Sequence, residues 1–508
     1  MQTVLTKMSM PEKPAGGDEK TGGGGGGQRQ GMLAVNDLNY VLAPDLSVSV
    51  NNTFKNHYFQ SNVYTNNQRG ICILNSGSDY GDMRSSTLNF MVRITTPTPA
   101  IAAGVNASFG KNGSILNIIR ALTISSRSGD EISRVQDLNH LSNIMNPFRY
   151  SENWMNTVGQ AAGFGGYLDG NQTDKASLDV PFSIPLYLLS DFFNYSRLTP
   201  AMVLAGLRIE IEWEDPGIAF QAVNAVADAA VIANQVITGY TITNPYVSMR
   251  SVQLTDGTQR ALNEMSAVNG LEIVYCDYER TETLLALTAT SSNVEVRKAA
   301  SRALKAFMSV RKIPTTAGLA DSFRSEPWDY VQWQWQLGSL YFPQQPVKSY
   351  NSVVANGIPE SYQHTLVAFN TYKGDQPRCS ACPMRNKVKH LEQNTFELIA
   401  NTYADAQLPK GKNYTAVGTS SWAEPANGRI GLAASVVGRD GTFANGRSTI
   451  CCLLERSDLF NLTGVPINNA RVLNAQATFG TGTARSVTIF LKYVRLARVF
   501  LNNVEVEQ

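Results

Sequence analysis

Short apolar runs separated by Asn, Gly, Ser and Pro recur along the chain, and the clearest of them alternates with a period of two. From Leu207 to Glu214, Leu207, Ile209, Ile211 and Trp213 fall on one face and Arg208, Glu210, Glu212 and Glu214 on the other, which predicts a half-buried strand with one wet face. The glutamates then share a solvated surface where nothing raises a carboxyl pKa, so a catalytic carboxylate pair is not indicated. Trp333 and Trp335 alternate with Gln332, Gln334 and Gln336 in the same way, and Pro343 and Pro346 are expected to stop that strand by removing donors. Further strands are predicted around Ser61 to Tyr64, Ile71 to Leu74, Thr87 to Ile94, Leu116 to Ile124, Leu271 to Tyr275 and Ser486 to Leu496. Ile237 to Leu254 reads as strand interrupted at Pro245. In the strand pattern Ser448 to Leu454, adjacent Cys451 and Cys452 should face opposite sides.

Helical spacing is rarer. Ile132, Val135, Leu138, Leu141 and Ile144 recur every third residue after the turn Ser125 to Asp130, predicting an amphipathic helix that ends before Pro147 and can lid an open barrel end. The alanine-rich stretch 220–236 predicts a short helix, with another turn of helix at Leu262 to Met265 and a candidate at His390 to Tyr403. Val294 to Val310 fits a helix or a strand.

At 508 residues the chain exceeds the size of one growing core, so two domains of about 200 to 250 residues are expected, dividing between 255 and 270. We place the domains at 34–262 and 263–508, behind a flexible Gly-rich arm at 1–33 that contains the run Gly22 to Gly27 and little to bury. The absence of a repeat of 20 to 50 residues argues against a solenoid or propeller. A formal charge of +2, from 43 basic and 41 acidic residues, gives no global attraction to nucleic acid or anionic membrane. Only 17% of residues are charged while uncharged polar residues abound, which suits surfaces buried against neighbouring subunits. No secretory signal or continuous apolar segment of transmembrane length is read, so a soluble product made in a cytosol is expected.

Chemistry is sparse. Six cysteines at uneven spacing describe no disulfide framework, and mostly buried free thiols are expected. Cys379 and Cys382 form a lone CxxC with only His390 nearby, short of a zinc set. Four histidines, His57, His140, His364 and His390, form no HExxH and accompany no GxSxG elbow; Gly22 to Gly27 lacks the Lys-Ser or Lys-Thr of a phosphate loop. Lys492, Arg495 and Arg498 lie in an apolar segment and read as interface or solvated-face residues, not as a nucleic-acid motif. We therefore expect no enzyme, no cofactor and no metal.

Three segments carry a resemblance. Gly113 to Ile124 with its turn and helix, Ile184-Pro185-Leu186 leading to Leu207–Trp213, and Leu337 to Pro346 with Tyr362 and Phe369 downstream resemble the double jelly-roll major capsid proteins of polinton-like viruses and virophages. The resemblance implies an all-β chain of two eight-stranded jelly-roll barrels side by side, with short accessory helices. It further implies a homotrimer forming a pseudo-hexagonal capsomer, neighbouring capsomers tiling an icosahedral shell around double-stranded DNA, and penton and minor capsid proteins as partners. The family has no catalytic residues to transfer. Trp213, Trp333, Trp335, Tyr341 and Phe342 are the candidate packing or interface residues, and the loops at 165–172 and 405–430 are candidate exposed towers. A lectin-like all-β carbohydrate-binding protein is the competing reading, and it requires an aromatic-lined groove.

Overall fold

The structure, a computed structural model, describes residues 49–95, 105–109, 114–150, 154, 157–164, 179–224, 237, 239–268, 270–312, 330–348, 364, 367–368, 449–454, 464–468, 471–479, 484–500 and 504–507. The expected arm, the helix candidate at His390 to Tyr403, both tower loops, Cys379 and Cys382 lie outside these residues. The first strands are β1 (Ser49–Tyr58), β2 (Val63–Thr65), β3 (Arg69–Ile73), β4 (Tyr80–Thr95), β5 (Val105–Ser108), β6 (Ile119–Ser125), β7 (Glu131–Gln136), β8 (Val180–Pro185), β9 (Arg208–Trp213), β10 (Gln221–Asn224) and β11 (Gly239–Leu254). After helix Asp256–Val268 follow β12 (Leu271–Leu285), β13 (Ser291–Val296), β14 (Ala300–Lys312), β15 (Tyr330–Leu337), β16 (Leu340–Lys348), β17 (Thr449–Leu453), β18 (Val465–Ile467), β19 (Leu473–Phe479), β20 (Arg485–Val499) and β21 (Val504–Glu507).

Every pairing among these strands stays within β1–β11 or within β12–β21. In the first group, β1-β11-β4-β8 (with β2 on β11) faces β3-β9-β6-β7, and β10 pairs with β5. In the second, β12-β20-β14-β17 (with β18 and β21) faces β13-β19-β15-β16. The sheets are open, where closed eight-stranded barrels were expected. Closure needs the outermost strands of facing sheets to hydrogen-bond to each other along their length, and among the described residues only the isolated bridge Phe59 to Cys72 links the two larger sheets of the first group.

The period-two strands form as the pattern predicts, with Leu207, Ile209, Ile211 and Trp213 all buried. Trp213 packs on Phe90 and Tyr64, at ring-centroid distances of 5.8 and 6.5 Å. Gly70 makes the approach possible, since a Cβ there would sit 3.1 Å from Phe59 and 3.3 Å from the Trp213 indole nitrogen. In the second group Trp333, Trp335 and Leu337 alternate inward against Val294, Val296, Ala475 and Ala477.

Four expectations need correction. The three-residue spacing from Ile132 to Ile144 crosses two elements: Ile132 and Val135 belong to β7, and helix α1 spans Leu138–Arg149. Asp137, in the left-handed region at φ 49°, breaks the chain between them, and the helix runs past Pro147 because one missing donor in its last turn costs little of the ladder. Pro343 and Pro346 lie inside β16 rather than ending a strand, as β16 is outermost in its sheet and can forgo donors. Gln221–Asn224, expected to be helical, pairs with β5. Glu214 leaves the wet face of β9 and is buried, accepting hydrogen bonds from Asn139 at 2.6 Å and from the Asp215 amide at 2.9 Å; burial raises its pKa. Val294 to Val310, open between helix and strand, holds β13 and most of β14.

Tyr341, 43% exposed, and half-buried Phe342 begin β16 directly after the β15 turn, with Phe342 opposite Trp335 in the register. Trp335→Ala should therefore cost about 3–5 kcal/mol, whereas Tyr341→Ala should stay within about 0.5 kcal/mol, both read by chemical denaturation of the purified chain.

Candidate functional site: a buried seam between two sheet systems

The sheet β12-β20-β14-β17 is covered on both sides. Cys452, Ala306, Met308, Ile489 and Leu491 face the second-group core, while Cys451, Phe307 and Phe490 join the core built on β1–β11. The opposite orientation expected for Cys451 and Cys452 thus serves two cores, and Cys452, Cys72 and Cys276 are free thiols. Burial raises the Cys452 thiol to about 12, so it stays protonated at neutral pH.

Helix α1 is wedged into this seam rather than lidding a barrel end. His140, fully buried, has its Nε2 3.0 Å from Ser309 Oγ on β14 and its ring edge-on to Phe490 on β20. Nδ1 has no hydrogen-bond partner among the described residues. Burial, and then the positive charges of Arg311 and Arg280, hold its pKa well below 6.5, so the imidazole is neutral.

Around it lie three groups of charge. In one, Arg280 and Arg311 meet Asp137 at 2.6 and 3.4 Å, and both also pair with Glu282. The Arg280 Nε lies at ion-pair distance from Asp137 but is poorly aligned for a hydrogen bond. In the second, Asp191 accepts from Arg149 at 3.2 Å and pairs with Lys492 at 3.1 Å, while Arg149 donates to the Tyr278 hydroxyl at 2.7 Å. Burial opposes both cations there, yet Tyr278 and Asp191 outweigh it and raise their pKa values; burial likewise raises that of Asp191, but Arg149 and Lys492 outweigh it and hold the carboxyl below its ordinary value.

The third group is the deepest. Arg495 and Asp277, with side chains 5% and 1% exposed, pair at 2.8 Å. Asp277 also accepts from Ser133 on β7 at 3.0 Å and from the Tyr278 amide, and Arg495 donates to the Glu131 carbonyl at 3.2 Å. Tyr275 adds a hydrogen bond to the Ile132 carbonyl. Burial pushes the Asp277 pKa up to about 6 against the Arg495 hydrogen bond.

Lys492 and Arg495, predicted for an interface or a solvated face, lie in this seam; Arg498 is more exposed and pairs with Glu272 and Glu507. Trp213 lies in one core and Trp333 and Trp335 side by side in the other, and Tyr341 stands apart on β16. The sequence reading missed His140, Asp191, Asp277 and Arg311. Its available signal was a lone charge inside an otherwise apolar run, as with Asp277 in Ile273–Tyr278. Among the described residues no group of three or more His, Cys, Asp or Glu is placed to hold a metal ion, and no helix is long and apolar enough to cross a membrane.

No protein-family model matches the chain, and no curated protein matches it in sequence. Solved structures similar to it include a quasi-atomic model of the PBCV-1 virus capsid, at 10% identity and TM-score 0.49, covering 90% of this chain and 97% of that one. The Faustovirus major capsid protein has 8% identity and TM-score 0.49, covering 88% and 90%. The mavirus major capsid protein has 11% identity and TM-score 0.44, covering 96% and 97%.

Two predictions follow from the seam. Asp277→Ala leaves Arg495 buried without its partner and should destabilise the chain by about 3–5 kcal/mol in denaturant titration, while the double change Asp277→Leu with Arg495→Met should recover most of that loss. His140, with its folded pKa below 6.5, contributes stability that is present above pH 6.5 and lost on acidification. Asp277 acts in the opposite sense: its value of about 6 lies above 3.8, so its contribution is present below 3.8 and lost as pH rises through 6. Thermal midpoints of wild type and His140→Gln between pH 7 and pH 5 separate the two, and the wild type should lose more stability on acidification than the variant.

Proposed function

We propose that this chain is a major capsid protein of the double jelly-roll kind, with jelly-roll domains at 34–262 and 263–508. In this reading three copies close into a pseudo-hexagonal capsomer, and capsomers tile an icosahedral virion shell around double-stranded DNA. Penton and minor capsid proteins are the further partners, and the protein is made in the host cytoplasm. The attribution to polinton-like viruses and virophages rests on the segments Gly113–Ile124, Ile184–Leu186 and Leu337–Pro346.

The observation that carries the reading is the seam. Two sheet systems with separate strand pairing are locked into one block by His140, Asp191, Asp277 and their partners. Buried ion pairs add little net stability, but they penalise any other relative placement of the two sheets because each misplacement leaves a desolvated charge. A shell subunit needs that fixed geometry together with outer surfaces left for its neighbours. Tyr341 is assigned to such a contact, and Trp213, Trp333, Trp335 and Phe342 to packing within the block. A carbohydrate-binding role would call on exposed aromatics around a groove. Among the described residues Trp213, Trp333 and Trp335 are buried and Trp154 is half-buried, and the most exposed aromatics, Phe54, Tyr58 and Tyr341, sit on two separate strands.

Light scattering of the purified chain should give the mass of three 55.4 kDa subunits, and negative-stain images should show pseudo-hexagonal particles. Small monomers at every concentration tested would defeat the proposal.

A further inference from the structure

The two strand groups repeat each other. In chain order β1, β3, β4, β6, β7, β8, β9 and β11 correspond to β12, β13, β14, β15, β16, β17, β19 and β20, because β1-β11-β4-β8 matches β12-β20-β14-β17 and β3-β9-β6-β7 matches β13-β19-β15-β16. Each face in one group therefore has a counterpart in the other. The seam uses one such pair: β7 of the first group, with α1 after it, lies on the face of β12-β20-β14-β17 turned away from the second-group core. There Tyr275 and Asp277 of β12 bond to Ile132 and Ser133 of β7, and Arg495 of β20 bonds to the Glu131 carbonyl.

The counterpart face lies on β1-β11-β4-β8, turned away from the first-group core. Phe54 and Tyr58 of β1, Tyr246 of β11 and Asn89 and Met91 of β4 occupy it, alternating with the buried Val247, Leu88 and Phe90. Phe54, Tyr58 and Met91 are 64%, 63% and 39% exposed, and the rings of Tyr58 and Tyr246 lie 5.7 Å apart. Arg250 pairs with Asp82 and Arg93 with Asp179, so covering this face leaves neither arginine without a partner. The counterpart of β7 is β16, where Leu340 and Tyr341 are 56% and 43% exposed just after the turn from β15.

We infer that the outer face of β1-β11-β4-β8 receives the β16 side of the next copy's second group, repeating between chains the joint that β7 and α1 make within one. This rests on the trimer reading above and names the surfaces it uses. Three copies bring six strand groups into a ring, and one kind of joint closes it, three times inside chains and three times between them. The contact is heterologous, so it closes under the three-fold rotation alone and keeps the same side of every copy outward. Phe54 and Tyr58 meet the partner subunit's Leu340 and the partner subunit's Tyr341, apolar surface against apolar surface. The deep ion pair of Arg495 with Asp277 is not repeated here, since β1 carries no acid and its one lysine, Lys55, is held by Asp79 at 2.6 Å. Copies can thus join and part at this face without stranding a buried charge.

The full-length chain carrying both Tyr58→Cys and Tyr341→Cys, treated with a short bismaleimide, should give linked two-chain and three-chain species and none larger on a denaturing gel, above the level of the wild type treated alike. Either change alone should give no more than the wild type, because the contact does not pair a face with itself. Phe54→Asp with Tyr58→Asp should raise the concentration at which half the chains are trimeric by about tenfold or more, whereas Thr123→Asp, on the outer face of β3-β9-β6-β7, should leave it unchanged. If the aspartate variant does not fold, the cysteine comparison decides by itself. Double-cysteine chains that link no more than the single variants, or an aspartate variant that trimerises like the wild type, overturn the joint and leave the capsid reading standing. A wild-type chain that stays monomeric at every concentration overturns both.

Discussion

The rest of the structure depends on the centre of one sheet, where β20 lies between β12 and β14, being dry on both faces. Most antiparallel sheets keep one face on a core and the other in water, and their sequences alternate accordingly. β20 does not: Arg485 to Leu491 are all buried, with Val487, Ile489 and Leu491 turned to one core and Phe490 to the other. Such a strand has little water in reach of its buried positions, so an ionised group set deep on it needs a partner. Lys492 and Arg495 have theirs in Asp191 and Asp277, one donated by the first strand group and one from the sheet itself.

That requirement explains where rigidity and freedom lie. The seam combines apolar contacts of Phe307, Phe490 and Cys451 with ion pairs whose rupture would strand a buried charge. Displacing α1 would cost the His140–Ser309 hydrogen bond and the Arg149 pairing together. The outward surfaces carry no such constraint. The ion pairs of β3 and β9 are solvated and worth little, and β1 carries the exposed side chains of Phe54 and Tyr58.

The seam also places two titratable groups of opposite tendency within one interface. His140 is neutral because burial and two arginines disfavour its charge, and Asp277 is raised by burial although Arg495 stands beside it. Acidification therefore weakens one contribution while favouring the other, which moderates the net response of the seam across the mildly acidic range.

Much of the strand content was legible because period-two alternation is a local signal: Leu207 to Trp213, Trp333 to Leu337 and the opposed Cys451 and Cys452 needed no knowledge of their neighbours. Local signals misled where two elements happened to share a spacing, as from Ile132 to Ile144, or where an outermost strand tolerated the prolines at 343 and 346. Whether the sheets close into barrels was beyond them, since closure depends on which edges meet. The sequence by itself determined an all-β chain in two runs of strands, with isolated charges set in apolar stretches. Only the tertiary structure decided that Asp191, Asp277, His140 and Arg311 converge on one seam, because burial and ion pairing are properties of residues far apart in the chain, brought together by the packing of one sheet system on another.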